Sequence, residues 1–167
     1  MTTRFRTYDE RLDDFGGECL VACPRCAEQA LVRVRGRDAD PPVQLTCMHC
    51  GHGAGWAPSQ PGVVTAASPE RFPGHVAYGG PVDPYFHLPL WLQAPCRGET
   101  LWAYNGAHLQ WLMDFVGAEL RERSPGEHGW SNGGLASRLP RWMQSAKNRD
   151  DVLRCIRGLR ERLRDRP

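Results

Sequence analysis

Four cysteines in two C-x-x-C pairs constrain this chain more than any other feature. Cys23-Pro24-Arg25-Cys26 and Cys47-Met48-His49-Cys50 are separated by 20 residues. Two residues between cysteines let both sulfurs of a pair reach one ion. Short strands between the pairs bring the two turns together. Thiolates suit zinc, which takes four tetrahedral ligands, and the spacing is that of a four-Cys zinc ribbon. With Cys23, Cys26, Cys47 and Cys50 all engaged, no coordination position is left for water. The expected Zn2+ is therefore a single structural ion, and a ribbon this small folds only around it. Redox chemistry of the thioredoxin kind needs one such pair beside a βαβ unit, and this chain has two pairs. His49 and His52 lie beside the second pair, but four cysteines suffice.

Three of the seven cysteines remain. Cys19 reads as a buried strand residue and Cys96 as a turn residue with no paired cysteine nearby. Cys155 reads as a small buried hydrophobe on the last helix. The N-terminus, MTTRFRTYDERLDD, lacks the apolar core of a secretory signal. The longest uncharged run, residues 41–69, is broken by prolines and glycines before it could span a bilayer. The expected compartment is the cytoplasm, where a disulfide framework is the poorer explanation of the cysteines.

The rest of the chain divides by composition. Residues 1–57 read as the ribbon with a polar lead-in, with strands at Glu18–Ala22, Ala30–Arg37 and Val43–Thr46. Residues 58–84 are rich in Pro, Gly, Ser and Ala without a period and read as a linker or arm. Residues 85–167 read as a small domain of one β-hairpin and about three helices. The hairpin pairs Tyr85–Gln93 with Thr100–Tyr104 around Pro95, Arg97 and Gly98, and Pro89 demotes its first strand to an edge. Leu109, Leu112, Met113, Val116 and Leu120 share one helical face, with Asn105 as N-cap and an end near Arg123 before Pro125. Residues 127–134 read as a loop. Pro140 starts a short helix through Ser145, and Asn148 caps a last helix. That helix has Val152, Ile156, Leu159 and Leu163 on its apolar face and Arg154, Arg157, Arg160 and Arg164 on the other. The fold class is thus α+β: a small antiparallel ribbon, then a hairpin with helices.

Net charge is +2, but its distribution is uneven. Residues 121–167 carry 12 Arg or Lys against 6 Asp or Glu, whereas the rest is slightly acidic. A basic tail on a near-neutral body can meet phosphate or an acidic partner. All cations but Lys147 are arginine, which a GC-rich genome explains. Five of the six tryptophans follow residue 84. Trp91, Trp102 and Trp111 read as core. Trp142 lies among Arg138, Arg141, Lys147 and Arg149, where an aromatic ring can stack on bases while cations hold phosphates, or can anchor a protein interface.

Other chemistry finds no pattern here. With Lys147 as the sole lysine there is no P-loop, which excludes an ordinary P-loop ATPase or helicase. There is no H-E-x-x-H and no deaminase signature. Asp83, Glu99, Asp114 and Glu119 have no metal-site spacing, and His75, His87, His108 and His128 are scattered. The leading reading is a non-enzymatic protein whose ribbon and basic C-terminal face bind nucleic acid or a nucleoprotein machine. A protein–protein adaptor without nucleic-acid contact is the alternative, and an enzyme such as a nuclease comes third.

Several stretches carry a resemblance. Asp83-Pro-Tyr-Phe, Leu88-Pro-Leu-Trp-Leu-Gln93, Leu101-Trp-Ala-Tyr-Asn105, Leu120-Arg-Glu-Arg123 and Ser137-Arg-Leu-Pro, continuing through Trp142 to Asp150, resemble a family of small bacterial zinc-ribbon proteins. These are often named after transcription-factor-type zinc ribbons or after the replication-restart helicase. The resemblance covers most of the chain and implies architecture. It implies no catalytic residues, and helicase activity is ruled out by the missing ATPase motif.

Overall fold

The computed structural model describes residues 4–6, 10–118, 120–122 and 134–164. In chain order the strands are β1 (Arg4–Arg6), β2 (Glu18–Ala22), β3 (Gln29–Val34), β4 (Val43–Thr46), β5 (Gly53–Trp56), β6 (Val63–Thr65), β7 (Val76–Tyr78), β8 (Leu92–Cys96), β9 (Glu99–Ala103) and β10 (Leu120–Glu122). The helices are α1 (Gly106–Gly117), α2 (Leu135–Arg138), α3 (Arg141–Gln144) and α4 (Arg149–Arg164). The class is α+β, as the sequence predicts.

Strands β2 to β5 form one antiparallel sheet in chain order. Alternation sets its faces. Cys19 and Val21 of β2, Ala30 and Val32 of β3, and Val43 and Leu45 of β4 point inward and are buried. The sequence predicts β2, β3 and β4 but not β5, whose Gly-Ala-Gly-Trp lacks strand formers. Gly55 is required there, because a Cβ would overlap the ring of Pro41.

The sheet does not stand alone. Along the outer edge of β2, Leu20 N–H donates to Tyr104 O (2.8 Å), Ala22 N–H to Pro89 O (2.9 Å), and Leu20 O accepts from Trp91 N–H (2.9 Å). The Asn105 amide donates to Phe15 O (2.9 Å) and Glu18 O (2.7 Å). One buried cluster accordingly runs from Leu12 and the sheet through Leu92, Leu101 and Leu112 to Val152, Ile156 and Leu159. A fully buried Leu or Ile contributes about 1.5–3 kcal/mol over an exposed one. Residues 58–84 contribute to this cluster's surroundings. β6 and β7 pair in parallel, and Ala77 is wholly buried.

β8 and β9 form a hairpin closed by Arg97 and Gly98, both at positive φ (54° and 81°), the requirement of a two-residue turn matching the strand twist. The first strand starts at Leu92 rather than Tyr85. The preceding residues are instead folded around Asp83, a fully buried carboxylate that accepts from the N–H groups of Tyr85 (2.9 Å), Phe86 (2.8 Å) and Leu88 (2.7 Å).

Asn105 caps α1 as expected, its side chain accepting from His108 N–H at 2.9 Å. Leu109, Leu112 and Val116 are buried, together with His108, Trp111 and Phe115. The helix ends at Gly117, not near Arg123. Ala118 is extended, and Leu120–Glu122 pairs in parallel with Arg4–Arg6. Leu120 lies four residues after Val116 and so fits the helical period, but a strand partner more than 100 residues distant decides the matter. Arg123 at the expected helix end, the expected loop up to residue 133 and Trp130 lie outside the described residues.

Trp111 and Phe115 stack at 5.2 Å between centroids, and the Trp111 indole N–H donates to the Glu10 carboxylate. α4 packs across α1 and β8, with Val152, Ile156 and Leu159 buried. Asn148 sits at the start of α4, yet its amide donates to Trp142 O at 2.9 Å rather than capping the helix.

The two late cysteines require a correction. Cys96 is disulfide-bonded to Cys155, with Cα atoms 6.2 Å apart and a sequence separation of 59. Spacing could not show this, because α4 returns across the end of the hairpin and delivers Cys155 to it. No helix among the described residues is long and apolar enough to cross a membrane.

Candidate functional site

The two C-x-x-C turns are built alike. In the first, which joins β2 to β3, Ala27 N–H donates to Cys23 O (2.9 Å) and Cys23 N–H to Glu28 O (2.7 Å). In the second, joining β4 to β5, Gly51 N–H donates to Cys47 O (3.0 Å) and Cys47 N–H to His52 O (2.8 Å). The residue after each second cysteine is left-handed, with φ 62° at Ala27 and 72° at Gly51. These matching turns lie at the same end of the sheet and face each other.

The sulfurs of Cys23, Cys26, Cys47 and Cys50 all lie within 4.8 Å of one another. Cys23 Sγ is 3.7 Å from Cys50 Sγ, and Cys26 Sγ is 3.7 Å from Cys47 Sγ. A regular tetrahedron with metal–sulfur bonds of 2.3 Å has an edge of about 3.8 Å. The sulfurs are therefore already at coordination spacing, and the four could hold one metal ion. The Cys50 N–H, working against desolvation and aided by the His49 N–H, draws the Cys47 thiol down to about 6. Cys26 is pushed up to about 12. There the pull of the Glu28 N–H is outweighed by desolvation and by hydrogen bonding with Cys50, Cys47 and Cys23. Cys19 stays outside this set: burial pushes its thiol well up, with Asp83 adding to the effect, and it contacts Gly16 O at 3.9 Å.

The cationic residues singled out in the sequence lie on the opposite part of the chain. Arg138 ends α2, Arg141 opens α3, and Lys147 follows in a single 3-10 turn; all three are exposed. Trp142 is half-buried and packs against the core cluster. Arg149 is half-buried as well, and its guanidinium donates to Ala118 O at 3.3 Å, serving the end of α1. On α4, Arg162 lies 4.9 Å over the Trp91 ring, and Arg97 and Arg154 both pair with Asp151.

Sequence reasoning misses a cleft of about 750 Å³ beside this cationic segment. Arg138 and Trp142 contribute to one wall, Gly79 and Pro81 after β7 to another, and Trp102 of β9 and His108 of α1 complete it. A Cβ at Gly79 would overlap the Ala66 carbonyl, so the bare backbone is what allows this wall to form. The Gly79 N–H is anchored on Tyr104 Oη at 2.9 Å.

His108 is 2% exposed and stacks on Phe15 at 5.0 Å. Its Nδ1 accepts from Tyr104 N–H at 3.2 Å, which places the proton on Nε2. Burial holds its pKa down at about 3, so the ring is neutral at ordinary pH. Asp83, Glu99 and Asp114 do not converge: Asp83 serves a turn, Glu99 borders the cleft, and Asp114 accepts from Gln110 on the outside of α1. Glu119 and His128 lie outside the described residues. No family model matches this chain, and no curated protein or solved structure shows significant similarity to it.

Proposed function

We propose that the protein is a non-enzymatic zinc-ribbon module that binds nucleic acid, alone or in a nucleoprotein assembly, through the segment from Arg138 to Lys147. The carrying observation is that Arg138, Arg141 and Lys147 are all exposed around the half-buried Trp142. Guanidinium and ammonium groups bind phosphates, while an indole at their centre offers a stacking surface. Arg149 belongs to this segment mainly as the tie that fixes it to the end of α1. The ion is zinc in this reading. Four thiolates in a closed tetrahedral set suit it, and no open position remains for catalysis. The metal orders the sheet, and the sheet supports the core from which the cationic segment projects. The resemblance to small bacterial zinc-ribbon proteins is part of the same reading.

The test is binding of the zinc-loaded protein to labelled single- and double-stranded DNA and RNA at two salt concentrations. The triple variant Arg141→Ala/Trp142→Ala/Lys147→Ala serves as control. Phosphate contacts release counterions, so affinity should fall steeply as salt rises, and the variant should lose most of it. Absence of binding with zinc content verified would favour the adaptor reading, in which the same residues meet a protein partner.

A further inference from the structure

We infer that the cleft beside Trp142 receives an unstacked base, so that the nucleic acid recognised is single-stranded. The inference rests on the nucleic-acid reading above and specifies its partner.

Four observations converge. First, the cleft has the size of a small-molecule site: about 750 Å³ falls within the roughly 300–1,000 Å³ typical of such pockets. A base with its sugar fits this space, whereas a base paired within a duplex cannot reach it without being extruded.

Second, two indoles contribute to the wall, those of Trp102 and Trp142. They come from a strand of the hairpin and from α3, and each is half-buried, with one part packed against the core and another bordering the cleft. Every base has a π-face, so such a wall accepts bases without demanding one sequence.

Third, His108 is almost wholly buried, yet it lines the cleft. Its Nδ1 is committed to Tyr104 N–H, which leaves Nε2–H as the ring's donor. On a residue that lines the cleft, this donor can serve an acceptor that a ligand brings. An uncharged N–H donor suits a neutral carbonyl, such as those on thymine, uracil, cytosine and guanine. Trp102 lies against this imidazole, ring centroids 5.7 Å apart, so donor and stacking surface are neighbours.

Fourth, the charge is outside. Arg138 is exposed where it borders the cleft, and Arg141 and Lys147 follow on the same segment. A backbone held by these cations would run past the opening while one base turns inward. Among the described residues, Glu99 is the acidic group on the wall, and it is exposed.

The experiment compares three ligands on the full-length, zinc-loaded protein. They are an oligothymidylate of about ten nucleotides, an abasic strand with the same number of phosphates, and a duplex of equal length. Affinity is read by fluorescence anisotropy, and His108 by the NMR resonance of its Nε2–H. The expected result is that oligothymidylate binds about tenfold more tightly than the abasic strand and shifts the His108 resonance, which the abasic strand leaves in place. Trp142→Ala should remove the preference for bases while Trp142→Phe retains most of it, circular dichroism verifying the fold of both. Equal, salt-sensitive binding of all three ligands with an unmoved His108 resonance would overturn the base-in-cleft inference and leave the cationic-face reading standing. Failure of all three to bind would overturn both.

Discussion

Ala27 and Gly51 occupy the same place in the two cysteine turns, each just after the second cysteine and each left-handed, at φ 62° and 72°. Only one of them is a glycine. An L-residue in this conformation costs about 1–2 kcal/mol, which glycine's greater freedom in the unfolded chain partly offsets. Ala27→Gly should therefore stabilise the metal-loaded protein by about 0.5–1 kcal/mol, and Gly51→Ala should destabilise it by about as much. Denaturant titration at fixed zinc concentration measures both. A destabilised Ala27→Gly would show that the Ala27 methyl packs favourably.

Removing the metal should weaken the whole molecule, not the ribbon alone. Cys19, Val21, Val32, Val43 and Leu45 share one buried cluster with α1 and α4. Calorimetry with a chelator should show one transition at a lower temperature, reversed by adding zinc. Cys50→Ser should behave like the chelated protein. Because the ligands must be deprotonated, metal should also be released as pH falls. Two separate transitions would mean that the sheet and the helices unfold independently.

Opening the Cys96–Cys155 bridge frees a long loop whose ends have a sequence separation of 59. Loop-closure entropy for that length is worth about 4 kcal/mol, and losses of native bridges typically fall at about 2–5 kcal/mol. Cys155→Ser should destabilise by about that amount in denaturant titration. The ribbon should keep its metal, as a thiol count and zinc analysis would show.

His108 gives a distinct acid response. Its folded-state pKa of about 3 lies below the ordinary 6.5, because burial penalises the charged ring. The unfolded chain then takes up the proton first, so stability is lost as pH falls below about 6.5 and goes on falling toward 3. By pH 5 the loss from this residue is about 2 kcal/mol. His108→Asn retains an acceptor for Tyr104 N–H but does not titrate. The variant should be less stable at neutral pH, since it leaves a gap, yet its stability should fall less between pH 6.5 and 5. Parallel slopes for the two proteins would show that His108 does not titrate on unfolding.

The legible parts of this molecule were those set by local chemistry. Cys23, Cys26, Cys47 and Cys50 announce themselves by spacing, Asn105 by its place before an apolar period, and Val152, Ile156 and Leu159 by the period itself. What escaped the sequence depends on partners distant along the chain. Leu120 fits a helix face but joins a strand pair with Arg4. Gly53–Trp56 looks too glycine-rich for a strand, yet Pro41 needs that bare backbone beside it. Cys96 finds Cys155 only because α4 doubles back. The cleft draws on β6, the segment after β7, β9, α1, α2 and α3, so no contiguous motif could mark it, although two of its residues, Arg138 and Trp142, stood out for their own chemistry.

The hydrogen bonds along the outer edge of β2 have a consequence for how the protein is made. All four clustered cysteines have been synthesised by residue 50, but the edge partners Pro89, Trp91 and Tyr104 come later. At about 5–20 residues per second, the nascent ribbon waits about 3–10 seconds for Tyr104. During that interval it presents an unpaired strand edge, a template on which neighbouring chains can add. An excised 1–57 fragment would keep that edge open permanently and should self-associate even when zinc is supplied.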